Sequence, residues 1–283
     1  MSRRTAGIVL AVLTASVSGV AVWVNSHAVT RFGDATVYTT AKNAVAGVVL
    51  LALALPLFVA PRGRTFPTRR RGWLALVAIA AIGGSIPFVL FFEGLARAEA
   101  TQAAFIHKTL VVWVALIAVP LLRERLGQVH LAAIALLIAG QIWLVGELGT
   151  VAFGAGEVML LAATLLWAVE VILAKRLLDS IPVRTLAVAR MGIGTLLLVG
   201  WLAISGRGDD LLALSAEQWS WAILTGLLLS AYVATWYVFG AVVTAALART
   251  TDGVTFDVVG VLLVTIGAAL AAIAGRRDRV RTA

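Results

Sequence analysis

The chain has 283 residues, 61% of them hydrophobic and only 13% charged, with a mean hydropathy of +1.00. A soluble domain of that length needs far more polar surface to cover itself, so a water-soluble fold is excluded. The net charge of +9 sits in the gaps between apolar runs, without the basic face and interleaved aromatics that nucleic-acid binding requires, so the partners implied are a lipid bilayer and a small-molecule substrate rather than nucleic acid.

Arg3 and Arg4 open an apolar run, Thr5–Trp23, that resembles a signal peptide in charge and hydropathy but lacks a clean cleavage site. It is read as a first, retained helix. A span needs about twenty mostly apolar residues. The runs that meet this are 6–24, 36–60, 73–95, 101–121, 129–146, 155–174, 183–204, 219–240 and 255–274. They are too long and too unalternating for barrel strands, and backbone in lipid must bond to itself, so the fold class is an all-α integral membrane protein. Asn25, at the end of the first helix, either caps it or lines a cavity. Lys42 lies in the second helix, and Glu93 lies late in the third, with Arg97 one turn on. The fourth carries His107 beside Lys108, the sixth carries Trp167 and Glu170, and the seventh carries Arg190. Gly83-Gly84 and Gly192-Ile-Gly194 suit close helix approach. Trp143, Trp201 and Trp219 fall near predicted helix ends and suit the interfacial belt, whereas Trp113, Trp167 and Trp236 lie deeper.

Orientation follows from the loops. One set holds Arg3 and Arg4; Arg62, Arg64, Arg69, Arg70 and Arg71; Arg123 and Arg125; Lys175, Arg176 and Arg184. The alternate set holds Arg31, Arg97 and Arg207 with most of the acids, among them Glu147, Glu157, Asp209, Asp210 and Glu217. The positive-inside rule places the first set and the N-terminus in the cytoplasm, in a cytoplasmic (plasma) membrane.

The halves 1–149 and 150–283 resemble each other. Trp23 precedes Arg31 by eight residues, as Trp167 precedes Lys175. Lys42 and Arg190 hold matching places in the following helices. His130–Gly140 reads like Asp257–Gly267. Five spans per half put the second half in the membrane upside down, giving about ten helices as two inverted five-helix repeats.

The stretch Phe91-Phe-Glu-Gly-Leu-Ala-Arg-Ala-Glu-Ala-Thr-Gln-Ala-Ala, continuing through Leu122-Arg-Glu-Arg-Leu-Gly127 to Gly140, resembles the EamA-like branch of the drug/metabolite transporter superfamily. So does Gly156-Glu-Val-Met-Leu-Leu-Ala-Ala-Thr-Leu-Leu-Trp167-Ala in the second half. The resemblance covers nearly the whole chain, and its sharpest motif is the Arg123-Glu124-Arg125-Leu126 corner. It implies two five-helix units, ten spans, and carrier-type export or uptake of metabolites such as amino acids. Two departures stand out. The family usually carries a Pro midway along the fourth helix, where this chain reads Leu110-Val-Val-Trp113. Trp219–Gly253 is also about twenty residues shorter than its counterpart Trp73–Gly127, so the second repeat is shortened around helices eight and nine. The segment Trp219–Ala248 would be roughly 45 Å long as one helix. Two crossings, with a short or re-entrant ninth element at 239–248, would put the C-terminal Arg276, Arg277, Arg279 and Arg281 in the cytoplasm, as their charge favours.

A charge at mid-bilayer costs about 2.5–3.5 kcal/mol on insertion scales, so each such residue needs a reason. Glu170 is read as a proton-titrating carboxylate or a clamp on a substrate amine; the alternative is a structural pair with Lys42, Lys108 or Arg190. Lys108 binds an anion, or else snorkels or pairs with Glu93. His107 relays protons, or is a hydrogen-bonded packing residue. Lys42 and Arg190 hold an anionic group between them, or snorkel to helix ends. Glu93 is a further proton-relay candidate, although its spacing from Arg97 suits a surface ion pair. Trp167 stacks on the substrate or simply packs.

With no Cys and three scattered His (27, 107 and 130), no metal site and no cofactor are expected. The absence of a Walker motif points to a secondary carrier rather than a pump driven by ATP. The expected function is alternating-access transport of an amino acid or similar small organic solute, with proton coupling through Glu170 and His107, and a homodimer is an allowed assembly. The alternatives are a non-transporting relic or assembly partner and, less favoured, a membrane-embedded enzyme, for which no catalytic constellation is visible.

Overall fold

Backbone dissolved in lipid has no water to bond to, and helices satisfy it within one segment. The computed structural model describes residues 17, 20–21, 23–59, 66–122, 135, 138–139, 153–178 and 180–247, and among these no strand occurs. Helix α1 covers 23–29. It is followed by α2 (Ala35–Val59), α3 (Arg70–Ile79), a π-helical turn (Ala80–Ser85) and α4 (Ile86–Leu95). Then come α5 (Ala100–Lys108), α6 (Leu110–Leu122), α7 (Ala155–Leu177), α8 (Val183–Ile204), the short α9 (Gly208–Leu212) and α10 (Ala216–Leu247).

Five segments among the described residues are long and apolar enough to cross a membrane: Ala35–Leu53, Arg70–Leu95, Gln102–Leu121, Ala155–Leu177 and Thr185–Ile204. They match the second, third, fourth, sixth and seventh predicted helices. The predicted last helix, the Arg123–Leu126 corner, the Asp257–Gly267 stretch and the arginine-rich tail lie outside the described residues, as does most of the first helix and, but for residues 135 and 138–139, the predicted fifth helix with His130–Gly140.

One element differs from the sequence reading. A break near residue 239 was expected, yet α10 runs unbroken for 32 residues, roughly 48 Å. The physical reason is local: no Pro falls between Ala216 and Leu247, and single glycines such as Gly226 and Gly240 do not end a helix that neighbours support. At the start of α7 the Glu157 carboxylate accepts the Gly154 N–H at 2.9 Å and closes the helix N-terminus.

Apolar side chains face outward in quantity. Val48, Leu196 and Ile204 are 70%, 70% and 84% exposed, as a surface against acyl chains would be. Inside, α2, α4, α5, α7, α8 and α10 share one core that includes Tyr38, Phe88, Phe91, Phe92, Leu160, Trp167, Leu202 and Ala222. Small residues set its tightest contacts. A Cβ on Gly84 would meet the Arg190 carbonyl, and one on Gly194 would come within 2.7 Å of the Gly84 carbonyl oxygen. The π-turn therefore lies directly on α8. Gly206, at φ +70, ends α8 in the left-handed conformation. The Arg207 N–H then bonds back to Leu202 O at 2.9 Å and the Gly206 N–H to Ala203 O at 3.2 Å, an arrangement that directs Arg207 onto Asp34.

Candidate functional site

Lys42 lies one turn after Tyr38 on α2, and both point into the core. Lys42 is 2% exposed, and its ammonium does not reach a helix end. It donates to Asn25 Oδ1 at 3.2 Å and sits 3.5 Å from the centroid of the Phe92 ring, with Phe88 and Tyr38 at 5.4 and 5.5 Å. The Tyr38 hydroxyl donates to the same Asn25 oxygen. Asn25 thus lines the core rather than closing the first helix through its carbonyl, while its amide nitrogen donates back to Ala21 O. No ion pair of Lys42 occurs among the described residues. The snorkelling alternative fails for Lys42 because α2 buries it about two turns from the helix start, against aromatic faces.

Arg190 holds the matching position on α8 and makes a different choice. Its Nε donates to Glu170 Oε1 and its Nη2 to Glu170 Oε2 at 3.2 Å, a two-point fork on the carboxylate. The side chains are 20% and 10% exposed. The Arg190 guanidinium also lies over Phe88, 5.7 Å from the ring centroid, so one aromatic ring is shared by the two cations that occupy matching places. Gly83 leaves the room that the Glu170 carboxyl occupies.

Trp167 lies beside this group on α7, packed against Phe88 at 5.4 Å, Phe91 at 5.5 Å and His107 at 5.0 Å between ring centroids. Its Nε1–H donates to Gly83 O at 3.2 Å. The cause is legible in the chain: Pro87 lacks the N–H that would bond the carbonyl four residues back, and the indole supplies it instead. The π-turn absorbs this irregularity, with Ser85 Oγ donating to Ala80 O and Ala81 O at 3.2 Å each. His107 Nδ1 is buried with no hydrogen-bond partner.

Of the residues singled out in the sequence, the structure thus brings together Asn25, Lys42, Trp167, Glu170, Arg190 and His107. It leaves out two. Lys108 is buried at the end of α5 and makes no ion pair with Glu93 or with any other described residue. Glu93 is instead paired with Arg97 one turn on and accepts the Thr36 hydroxyl at 2.7 Å, so the spacing argument for an ion pair holds. The fourth predicted helix is irregular at Thr109, one residue beyond Lys108. The Thr109 hydroxyl bonds Ile106 O at 2.6 Å and accepts Trp113 Nε1 at 3.1 Å. The irregularity is local and needs no proline, because Thr109 N bonds Phe105 O at 3.3 Å and Trp113 N bonds Thr109 O at 3.2 Å, so the helix continues through it.

The sequence reading missed Tyr38, Phe88 and Phe92, which wall the site, and Asn43, whose Oδ1 is buried without a partner. The i, i+4 pairs Tyr38/Lys42 and Phe88/Phe92 were available as a signal, but in a span that is apolar all round they do not mark which face turns inward. At one end of the helices, Asp34 pairs with Arg207 and Arg31 with Glu217 at 3.4 Å, tying the α1–α2 turn to the end of α8 and to the first turn of α10.

The sequence profile of the EamA-like transporter family matches residues 5–146 and 154–252. An uncharacterized transporter of Archaeoglobus fulgidus is 29% identical over 163 residues, 54% of this chain and 55% of that protein. The chain thus spans about half the length of the curated relative it matches. A crystal structure of a protein 17% identical in sequence superposes with a TM-score of 0.58 over 98% of this chain and 100% of that one, which shows a shared fold.

Proposed function

This chain belongs to the EamA-like transporter family, and from that premise we propose that it is a secondary carrier moving a small metabolite, an amino acid or similar small organic solute, across the cytoplasmic membrane by alternating access. The observation that carries the reading is the buried group Lys42, Phe88, Arg190 and Glu170, built from α2, α4, α7 and α8 within segments that are mostly apolar. Each such charge costs about 2.5–3.5 kcal/mol to insert, which a purely structural protein has no need to incur three times in one place. The matching positions of Lys42 and Arg190 around one ring support two inverted repeats, 1–149 and 150–283, whose interface is the site. Glu170 is the group that exchanges the coupling proton, with Arg190 as its partner. The unpartnered Nδ1 of His107, beside Trp167, supports a role in passing that proton on. The basic loops support a cytoplasmic N-terminus. Family and relative point to a transporter rather than an enzyme.

A second reading, a non-transporting relic or assembly partner, is favoured by one observation: a single helix, Ala216–Leu247, stands where two were expected. Reconstituted vesicles separate the two. The purified chain is expected to take up labelled amino acids or small organic acids under an imposed pH gradient, and Glu170→Gln to abolish the gradient-driven component. A wild-type chain that moves none of them would leave the relic reading standing.

A further inference from the structure

Resting on the carrier reading, we infer that the part of the solute this site recognises is a carboxylate, received by Lys42, and that Glu170 does not serve as the partner of a solute ammonium. Three observations meet here. Both oxygens of Glu170 are already taken by the Arg190 fork, so an ammonium could reach the carboxylate only by breaking two charged hydrogen bonds. Lys42 is the less compensated charge. An ammonium has three donors, and the described partners are one amide oxygen, which Tyr38 also uses, and the face of Phe92. A buried cation with neutral partners alone is costly, and an arriving anion removes that cost. Finally, the groups around Lys42 are aromatic. Phe88, Phe92 and Tyr38 would pack an apolar or aromatic body while Lys42 and the Tyr38–Asn25 pair hold its charged end.

The site therefore fits an organic acid with an apolar body, for which an amino group is dispensable. A zwitterionic amino acid binds through its carboxylate, a deaminated analogue binds as well, and a decarboxylated amine does not bind.

The test uses the purified full chain in detergent, with thermal unfolding followed by tryptophan fluorescence at constant ionic strength. The probes are 3-phenylpropionate, phenylalanine, phenethylamine, acetate and inorganic phosphate. Phenylpropionate and phenylalanine are expected to raise the unfolding midpoint, acetate to do so only at much higher concentration, and phenethylamine and phosphate not at all. Lys42→Gln is expected to raise the concentration needed for half of the effect by at least about tenfold, the size of one lost charged hydrogen bond, whereas Lys42→Arg retains it. Protection by phenethylamine, equal protection by phosphate, no protection by either phenyl acid, or an unchanged response in Lys42→Gln would each overturn the inference. Should Lys42→Gln fail to fold, the ranking of the five probes on the wild-type chain decides alone. The carrier reading is judged separately in vesicles. A chain protected by phenylpropionate but inert in transport sinks the carrier and keeps the carboxylate site. A chain that carries amines as well as acids does the reverse.

Discussion

Neutralising Glu170 and Arg190 one at a time and then together distinguishes an ion pair that holds helices from one that works. The carboxylate receives two guanidinium bonds, and its own side chain is only 10% exposed while that of Arg190 is 20% exposed. Removing one partner strips the other buried charge of its strongest compensation, a loss of about 3–5 kcal/mol. For a chain of this size each kcal/mol moves the unfolding midpoint by roughly 2–4 °C, so Glu170→Gln and Arg190→Gln are each expected to lower it by about 6–20 °C. The double variant loses both charges together and should return to within about 1 kcal/mol of wild type. Thermal unfolding in detergent, read by tryptophan fluorescence, gives all four corners of the cycle. Vesicle transport by the double variant then assigns the role. A fold restored without transport means that Glu170 takes part in the cycle; a fold restored with transport means that it is glue. Single variants that unfold within about 3 °C of wild type would refute the reasoning, because the pair would then be wet enough that neither charge needs the other.

Gly84→Ala places a methyl group on the Arg190 carbonyl and should destabilise by about 1–3 kcal/mol, whereas Gly192→Ala, with nothing within 4 Å of the added carbon, should be neutral in the same assay. Trp167→Phe keeps the ring packing but removes the donor to Gly83 O and should cost about 1–2 kcal/mol. Pro87→Ala returns a backbone N–H to that carbonyl, so the cost of Trp167→Phe should shrink in its presence; equal costs in the two backgrounds would show that the indole bond does not replace the missing one. A reporter fused after Ala283 is expected to be active on the cytoplasmic side, in line with Arg276, Arg277, Arg279 and Arg281. Activity on the opposite side would mean that the tail follows the single unbroken helix Ala216–Leu247 rather than its own charge, and that the second repeat is one span short.

Much of this protein was readable before any coordinates. The membrane setting and the helical class follow from composition, because a bilayer leaves the backbone no other way to satisfy itself. The positions of α2, of the α3–α4 span and of α7 and α8 follow from run length, and the EamA-like resemblance follows from the stretches at Phe91 and Gly156. The cost of burying charge also pointed to Lys42, Glu170 and Arg190 as residues that need a reason. What the chain could not disclose is which partner each would take. Spacing along one helix determines contacts within that helix, such as Glu93 with Arg97, and says nothing about contacts between helices. Glu170 had three candidate cations. Only the packing of the π-turn on α8 through Gly84 and Gly194 chooses Arg190 among them, and it leaves Lys42 to Asn25 and the aromatic rings. The unbroken α10 was hidden for the same kind of reason. Whether a long apolar run bends or continues depends on the surface it packs against, here α2 through Gly226, and that surface is a property of the assembled helices rather than of the run itself.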